Sequence, residues 1–577
     1  MRLPVAAAVA LATLLCLVAG CSTRTDVSVT GNTPAKYSHV WITTQQLWFH
    51  TSASAGPSDG GWVKFSLSAP VTVDLVTESS GNLGSLVTGL KLAAGSYAQL
   101  RLIPLDAAAP LAHSAQVAGA LYNAEADYVD SAGHTHQLPL ELLNPDQGIG
   151  IQGSLKVPIG KFGAVLGVTS TTATTTPGTT STSNSTTTTT SFAVSVDGAR
   201  DLTPFTYAGA SAPNGVLLSS HAGAFDLSQV GGISGQLTLT NLSGITAPSG
   251  LPAIQVSAES LSADGTRHVV VRSAPVHADG SFLLYPLATS SSSPADYDLV
   301  IHGRGIATII IKAVQVTLGS TTTGSGSTGT APATINSVSV GTLIARAASS
   351  YSANLGNGSG PALPASAEAA FYQTLPGSGE VPYVIEASPI DPFNQLLADA
   401  QTLSEGTLDS GTYSTSGATV TLVSATPAEA AGGYLVAASA SAFSDGPLTA
   451  RLTAPPSGTT TPVAVTVPTL ALAPGASSGS ITASITQATA GKYDHGELLV
   501  THDGALVATT ALDAALAQGA PGVIVNGVPA GTAAALYYVS VRAWNSHDAP
   551  ATLHRQAYST AVDLRGSVTA AVQLTID

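Results

Sequence analysis

From Val27 onward the chain is a succession of short apolar alternations, each bounded by Gly, Pro, Asn or Ser, with Val and Thr prominent inside many of them. A period of two places alternate side chains on opposite faces of a strand, and runs this short leave little room for the 3.6-residue period of a helix. An all-β fold follows. Helix candidates are few: Asp391-Pro392 caps the segment 393–403, and 510–518 ends before Gly519, matching helix start and stop signals.

A chain of 577 residues is too long for one core, and about three to five domains of ordinary size are expected. The architecture read from the sequence is therefore a multidomain string of β-sandwich modules with few short helices. Only 9% of residues are charged and the mean hydropathy is +0.30, values that would suit a membrane protein. After residue 20, however, no run approaches the roughly 18 apolar residues of a spanning helix. The hydropathy comes from Ala, Val and Leu interleaved with uncharged Ser, Thr and Gly. The formal net charge is −15, and the 7 Lys and 12 Arg are spread along the chain with no basic stripe. Nucleic acid is not an expected partner.

The N-terminus has a separate logic. Arg2 gives a positive start, Val5 to Val18 is an apolar run of signal-core length, and Ala19-Gly20 are the small residues a signal peptidase requires, directly before Cys21. This layout resembles a bacterial lipoprotein signal. The resemblance implies that residues 1–20 are removed, that Cys21 is lipidated, and that a membrane is a partner through that anchor. The only other cysteine, Cys16, lies inside the signal, so the mature chain has no cysteine pair for an internal disulfide. Each buried methylene adds about 0.8 kcal/mol and stable attachment takes two or more chains, so a multiply acylated Cys21 would hold firmly. Residue 22 is Ser, and the family's usual inner-membrane retention signal is Asp there, so an outer-membrane destination is expected. Residues 22–26 read as a polar tether.

Residues 21–229 form the first expected domain. The blocks Val27-Ser28-Val29-Thr30, Lys36-Tyr37-Ser38-His39-Val40-Trp41-Ile42, Leu47-Trp48-Phe49-His50, Trp62-Val63, Val73-Asp74-Leu75 and Gly95-Ser96-Tyr97-Ala98-Gln99-Leu100-Arg101-Leu102 follow one order. Gly133-His134-Thr135-His136-Gln137-Leu138, Gly150-Ile151-Gln152 and Phe192-Ala193-Val194-Ser195-Val196-Asp197 continue it. That order resembles the domain of unknown function 4382 family, found at the front of bacterial surface lipoproteins. The family's opening Thr-Asp-Ala-Pro is altered here to Thr30-Gly31-Asn32-Thr33-Pro34, and its Pro-Ser-Gly turn is replaced near Asn144-Pro145-Asp146. Residues 169–191, with 14 Thr and 5 Ser in 23 positions, read as a disordered insertion into this domain, because a tract without large apolar residues cannot offset its ordering entropy by burial.

A second unit is read at 230–318. Val230-Gly231-Gly232-Ile233, the turns at Asp264-Gly265 and Asp279-Gly280-Ser281-Phe282, and Asp296-Tyr297-Asp298-Leu299-Val300-Ile301 follow at sandwich spacing. The pattern is similar to the carboxypeptidase regulatory-like, transthyretin-like sandwich, which implies a carbohydrate-binding-like fold over about residues 231–318. A flexible linker at 319–332, a β-rich domain at 333–456, a hinge at Pro455-Pro456-Ser457-Gly458-Thr459 and a C-terminal β domain at 457–577 complete the division. Lys492-Tyr493-Asp494-His495 echoes Lys36-Tyr37-Ser38-His39, but the echo fades within a few residues and is not read as a duplication.

No His-Glu-x-x-His, Gly-x-Ser-x-Gly elbow, phosphate loop or dinucleotide fingerprint is present, and no cofactor is expected. Two groups have metal-ligand chemistry: His134 and His136 with Glu125, Asp127 and Asp130, and His495 and His502 with Asp494 and Asp503. Both are read as polar strand faces, and no metal ligand is assigned. Asp74 and Arg101 read as a cross-strand pair. Trp41, Trp48 and Trp62, three of the four Trp, read as core. In the segment 538–544 the period of two turns Val539, Val541 and Ala543 inward and leaves Tyr538, Ser540, Arg542 and Trp544 on the opposite face. Tyr538, Arg542 and Trp544 are the candidate ligand-binding residues, able to stack a sugar ring or meet a protein. The favoured reading of the same face is a neighbouring sheet over it, with Arg542 over Trp544 as a cation–π contact. The resulting expectation is a non-catalytic, lipid-anchored envelope protein whose modules serve adhesion or glycan and envelope binding. A scaffold for protein partners and a metal-dependent hydrolase are the alternatives.

Overall fold

The computed structural model describes residues 22–576 apart from interior stretches, the longest being 159–188, 239–253, 319–336, 355–362, 453–462 and 546–554. Cys21 and the expected signal at 1–20 lie outside the described residues. The chain is all-β: helices are confined to α1 (His113–Ala118), α2 (Gly198–Asp201) and α3 (Asp513–Ala517) among the described residues, with one 3-10 turn at Leu227–Gln229. Helix α3 falls within the expected 510–518. The expected helix at 393–403 is not formed where it can be seen, since residues 401–403 lie in a strand, Gln401–Ser404, Leu397 makes an isolated bridge to Ile390, and the rest is outside the described residues.

The first body contains β1 (Ser22–Asn32), β2 (Tyr37–His50), β3 (Val63–Asp74), β4 (Gly84–Ala93), β5 (Gly95–Pro104), β6 (Ala124–Val129), β7 (Thr135–Glu141), β8 (Ile149–Val157), β9 (Thr189–Asp197), β10 (Leu202–Phe205), β11 (Gly215–Leu218) and β12 (Gly223–Asp226). They form one sheet in the order β10-β11-β7-β6-β2-β5-β8-β12-β9-β1-β4, with β3 also on β2. The long β2 makes this possible, pairing β6 through Tyr37 to Ile42 and β5 through Thr44 to His50. Only Ala94 separates β4 from β5, yet one stands at the end of the order and the other in its middle. The sheet therefore curls back on itself and encloses a single core of Val27, Val40, Leu47, Phe49, Leu100 and Phe192, among others. Two expectations are corrected here. Residues 22–26 are not a tether: they are the start of β1, with Thr23 and Thr25 buried between β4 and β9. The Thr/Ser tract is shorter than 169–191, because Thr189, Thr190 and Ser191 already belong to β9.

The second body uses β13 (Val230–Thr238), β14 (Ile254–Leu261), β15 (His268–Pro275), β16 (Ser281–Ala288), β17 (Ala295–Gly303), β18 (Ile309–Val316) and β19 (Ser337–Ile344). The turn before β16 needs a left-handed residue, and Gly280 supplies it at φ +86°, while Asp279 Oδ1 accepts from the Ser281 amide at 2.9 Å. Beyond β19 come β20 (Ser350–Asn354), β21 (Glu368–Gln373), β22 (Tyr383–Pro389), β23 (Gln401–Ser404), β24 (Leu408–Ser414), β25 (Thr419–Val420), β26 (Val423–Ala425), β27 (Tyr434–Ser439), β28 (Ala450–Leu452) and β29 (Val463–Ala464). The expected linker does not separate two independent sandwiches. On one layer β19, which follows it, pairs in parallel with β13; on the other, β24 pairs in parallel with β18. The physical reason is in β17 and β18, where Leu299, Val300, Ile301, Ile309, Ile310 and Ile311 are all fully buried. Strands that are apolar on both faces need cover on both, and Val300 and Ile310 duly join the core of the next sandwich, with Tyr351, Phe371 and Tyr383. The hinge expected at 455–459 is likewise passed over, since Val463 and Ala464 pair with Ala353 and Asn354.

The last body contains β30 (Ser477–Gln487), β31 (His495–His502), β32 (Ala505–Ala511), β33 (Gly522–Ala530), β34 (Leu536–Trp544), β35 (Arg555–Tyr558), β36 (Val562–Asp563) and β37 (Thr569–Ile576). Its two layers run β33-β30-β37 and β32-β31-β34-β35, with β36 also on β34. A fragment of residues 230–318 lacks β19 and β24, and is expected to show no cooperative thermal transition by circular dichroism. Residues 230–464 should show one. A cooperative transition in the shorter fragment would mean that the cross-linker pairings are dispensable.

Candidate functional site

Strand β34 carries the expected ligand-binding residues, and its register explains their fate. Val539, Val541 and Ala543 enter the core of the last body as expected. The opposite face is not open. Tyr538, Ser540 and Arg542 are buried, and Arg542 is fully so. What covers them is the first body. Arg542 Nη1 donates to Glu141 Oε2 of β7 at 2.7 Å, and Nη2 donates to Glu497 Oε2 of β31 at 2.8 Å. The guanidinium lies 5.6 Å from the ring centroid of Phe205, so the cation–π partner is Phe205 rather than Trp544. Around this charge Phe205 and Leu217 of β10 and β11 close with Leu499 and Leu506 of β31 and β32 in a small apolar cluster. At the edge of the same joint, a Cβ built on Gly56 would meet Tyr538 Oη at 3.0 Å, so the loop there is held close by lacking a side chain. Burial raises the Tyr538 phenol, and burial pushes the Glu497 carboxyl up against the pull of Arg542. Trp544, at the strand end, is half-buried and stacks on His495 at 5.8 Å between centroids.

Two further joints meet the first body. The altered family opening lies at one: Asn32 donates through Nδ2 to Asp197 Oδ1 at 3.2 Å and to Ser273 Oγ of β15, while Arg272 Nη2 reaches Thr30 Oγ1 at 3.4 Å and the Gly31 carbonyl at 3.5 Å. At the other, Arg200 makes a two-pronged contact with Glu368 of β21, at 3.0 and 2.6 Å. The string of modules thus closes on its first member.

The first metal-like group is taken apart by strand register. Asp127 stands opposite Gln137 and Tyr128 opposite His136, so the carboxylates and the imidazole leave opposite faces of the β6–β7 pair. Asp130 lies outside the described residues. Glu125 and Asp127 instead form a buried carboxyl pair; Glu125 Oε2 accepts the amides of Leu121 and Tyr122 at 2.5 and 2.8 Å. Burial pushes Glu125 up to about 7, the two amides pull it down, and Asp127 adds to the rise. In the second group, His495 and His502 stand at opposite ends of β31, and His495 pairs with Asp513 at 3.1 Å. Among the described residues no three His, Cys, Asp or Glu side chains are grouped to hold a metal ion.

Asp74 does not pair with Arg101. Its carboxylate takes His39 Nδ1 at 2.7 Å and the Val40 amide at 3.0 Å, and His39 stacks on Trp41 at 4.5 Å. Arg101 is buried, 5.4 Å from the Trp62 ring, with its guanidinium over Gly150. Trp41 and Trp48 are buried, Trp41 under Ala115 of α1, whereas Trp62 is only partly so. The Lys-Tyr-x-His echo has matching geometry: Lys36 and Lys492 each stand 5.3 Å from the ring of the following tyrosine, and each histidine stacks on a tryptophan and pairs with an aspartate.

With this geometry in place, the comparisons with known proteins add the following. Residues 22–198 match the family described as Domain of unknown function (DUF4382), so the first body carries that domain. No curated protein matches the chain. Among solved structures, the Bacillus anthracis TIE protein aligns with 9% identity over 95% of this chain and 72% of its own, at a TM-score of 0.14. The pilus adhesin SpaC of Lactobacillus rhamnosus GG aligns with 10% identity over 64% of this chain and 45% of its own, at 0.15. BcpA, the major pilin subunit of Bacillus cereus, aligns with 11% identity over 60% of this chain and 99% of its own, at 0.13. Scores of this size carry no argument about what this chain binds.

Removing Arg542 leaves two carboxylates buried without their cation, so Arg542→Ala is expected to destabilise the protein by about 3–5 kcal/mol in denaturant titration. Replacing all three groups, as Glu141→Leu, Glu497→Leu and Arg542→Met together, should recover most of that loss. A second expectation concerns pH. The folded Glu125–Asp127 pair keeps a proton that an unfolded carboxyl releases near 4.5, so between there and about 7 the folded state binds more protons and stability falls as pH rises. Thermal melts at pH 5.5 and 8 should show this fall, and Glu125→Gln should reduce it.

Proposed function

We propose that the protein is a non-catalytic lipoprotein fixed to the cell envelope through Cys21, presenting a body of interlocked β-sandwiches for adhesion or for contact with envelope components. One observation carries the reading: the join between signal and fold. The sequence Val18-Ala19-Gly20-Cys21 ends the apolar run, and β1 begins at the next residue, Ser22, inside the sheet rather than at its edge. A chain cut before Cys21 keeps β1 whole, and acyl chains on that thiol would hold the first body directly against a bilayer. No helix among the described residues is long and apolar enough to cross a membrane. Ser22 in place of Asp favours the outer membrane as the destination.

The joints favour a supporting role for β34. With Tyr538 and Arg542 engaged between bodies, a glycan or envelope protein would be met elsewhere on the assembly, and the resemblance of residues 231–318 to carbohydrate-binding-like sandwiches makes that region the first to test. Mass spectrometry of the mature N-terminus should find a diacylglyceryl group on Cys21, with the protein in the membrane fraction and Cys21→Ser moving it to the soluble fraction. An unmodified N-terminus on a membrane-free protein would contradict the anchor. Crosslinking in cells and glycan arrays then separate a protein partner from a sugar.

A further inference from the structure

The end of the first body from which Cys21 leads away is basic, in a chain whose net charge is −15. Ser22 pairs with Ala93, Thr23 with Leu92 and Arg24 with Lys91 across β1 and β4. On the neighbouring wall Gly95 pairs with Val157 and Ser96 with Lys156, and Thr23 Oγ1 ties the two walls by donating to the Pro158 carbonyl at 2.5 Å. Arg24, Lys91 and Lys156 are all exposed. Arg24 is three residues from Cys21, so at most about 10 Å of extended chain separates them. Lys91 lies two residues before Ala93, and Lys156 is paired to Ser96, the residue after Gly95, so both flank the Ala93-Ala94-Gly95 corner.

Arg24 and Lys91 directly face each other across an antiparallel ladder, where like charges repel. Among the described residues no carboxylate forms an ion pair with any of the three cations. Asp26, the nearest acid along β1, is turned to the Gly89 amide at 2.7 Å. An uncompensated like-charge pair is a cost to the fold that an anionic surface in front of it would remove.

We infer that Arg24, Lys91 and Lys156 form a seat for anionic phospholipid headgroups, so that the first body rests on the membrane in a fixed orientation around its anchor. This rests on the reading that Cys21 is the lipidated residue. A flexible tether would scatter the cations over a range of distances. Here β1 starts at Ser22 and keeps Arg24, with Lys91 paired beside it, at a separation from the anchor comparable with the Debye length of about 8 Å at physiological salt.

The test uses the mature chain carrying Cys21→Ser, so that binding does not depend on acylation, with vesicles of phosphatidylcholine alone or mixed in equal parts with phosphatidylglycerol. Cosedimentation is expected with the mixed vesicles only, is expected to be lost in 1 M salt, and should weaken by about a hundredfold in the Arg24→Ser, Lys91→Ser, Lys156→Ser variant. Removing exposed like charges should leave its melting temperature unchanged or higher, which separates lost binding from lost folding. No binding to mixed vesicles, or equal binding by the triple variant, would overturn the seat. Salt-sensitive binding together with an unmodified Cys21 in cells would remove the anchor and leave the seat standing.

Discussion

A guanidinium taken wholly out of water has to be met by charge, and Arg542 is met from two directions at once. Glu497 comes from the adjacent strand of its own sheet, and Glu141 from the DUF4382 domain, 401 residues earlier in the chain. Either carboxylate would balance the charge, but each takes a different nitrogen, Glu141 at Nη1 and Glu497 at Nη2. Ion pairs of this kind contribute little net stability compared with apolar replacements, but they are costly to break by halves. The joint therefore fixes which surfaces meet more than how strongly they adhere. The apolar cluster of Phe205, Leu217, Leu499 and Leu506 supplies the burial, and the ion pairs supply the registration.

The same division recurs at the other joints of the first body. Arg200 grips Glu368, and Asn32, Asp197 and Ser273 form a compact hydrogen-bonded group beside Arg272. Charged residues are scarce in this chain, and three of the twelve arginines, Arg200, Arg272 and Arg542, reach across contacts between bodies. The residues by which the opening of the family pattern is altered, Gly31 and Asn32, are at such a contact. A Cβ on Gly31 would come within 2.4 Å of the Leu75 carbonyl, so a side chain there would displace the strand that carries the joint. The altered opening thus suits this assembly.

Much of the fold was legible because strand alternation is local. The period of two identified the strands and separated Val539 and Val541 from Tyr538 and Arg542, the stop at Gly519 placed α3, and the ordered blocks from Val27 to Asp197 pointed to the family of the first body. What covers a strand face is not local. A covering sheet over Tyr538 and Arg542 was the favoured reading, but nothing between residues 536 and 544 says that β7 and β10 supply it or that Phe205 meets the guanidinium. The linkers misled for a related reason. Gly/Ser/Thr composition marks an absence of packing residues, and β pairing can bridge such a stretch, as β13 with β19 does. Two signals were available: Glu141 lies between Leu140 and Leu142, and Glu497 precedes Leu498-Leu499, and a carboxylate in apolar company on a strand implies a buried cation somewhere.

That the first and last bodies are held as one unit is the claim on which the assembly depends, and it can be measured without disturbing the joint. From residue 22 onward the chain has no cysteine, so in a chain starting at Ser22 a spin label can be placed on each body at exposed positions such as Thr135 and Asn526. Pulsed electron resonance between the two should give a single narrow distance distribution that persists at high salt. A broad distribution in the native protein, of the kind two bodies on a flexible connection would give, would contradict the clamp at Arg542.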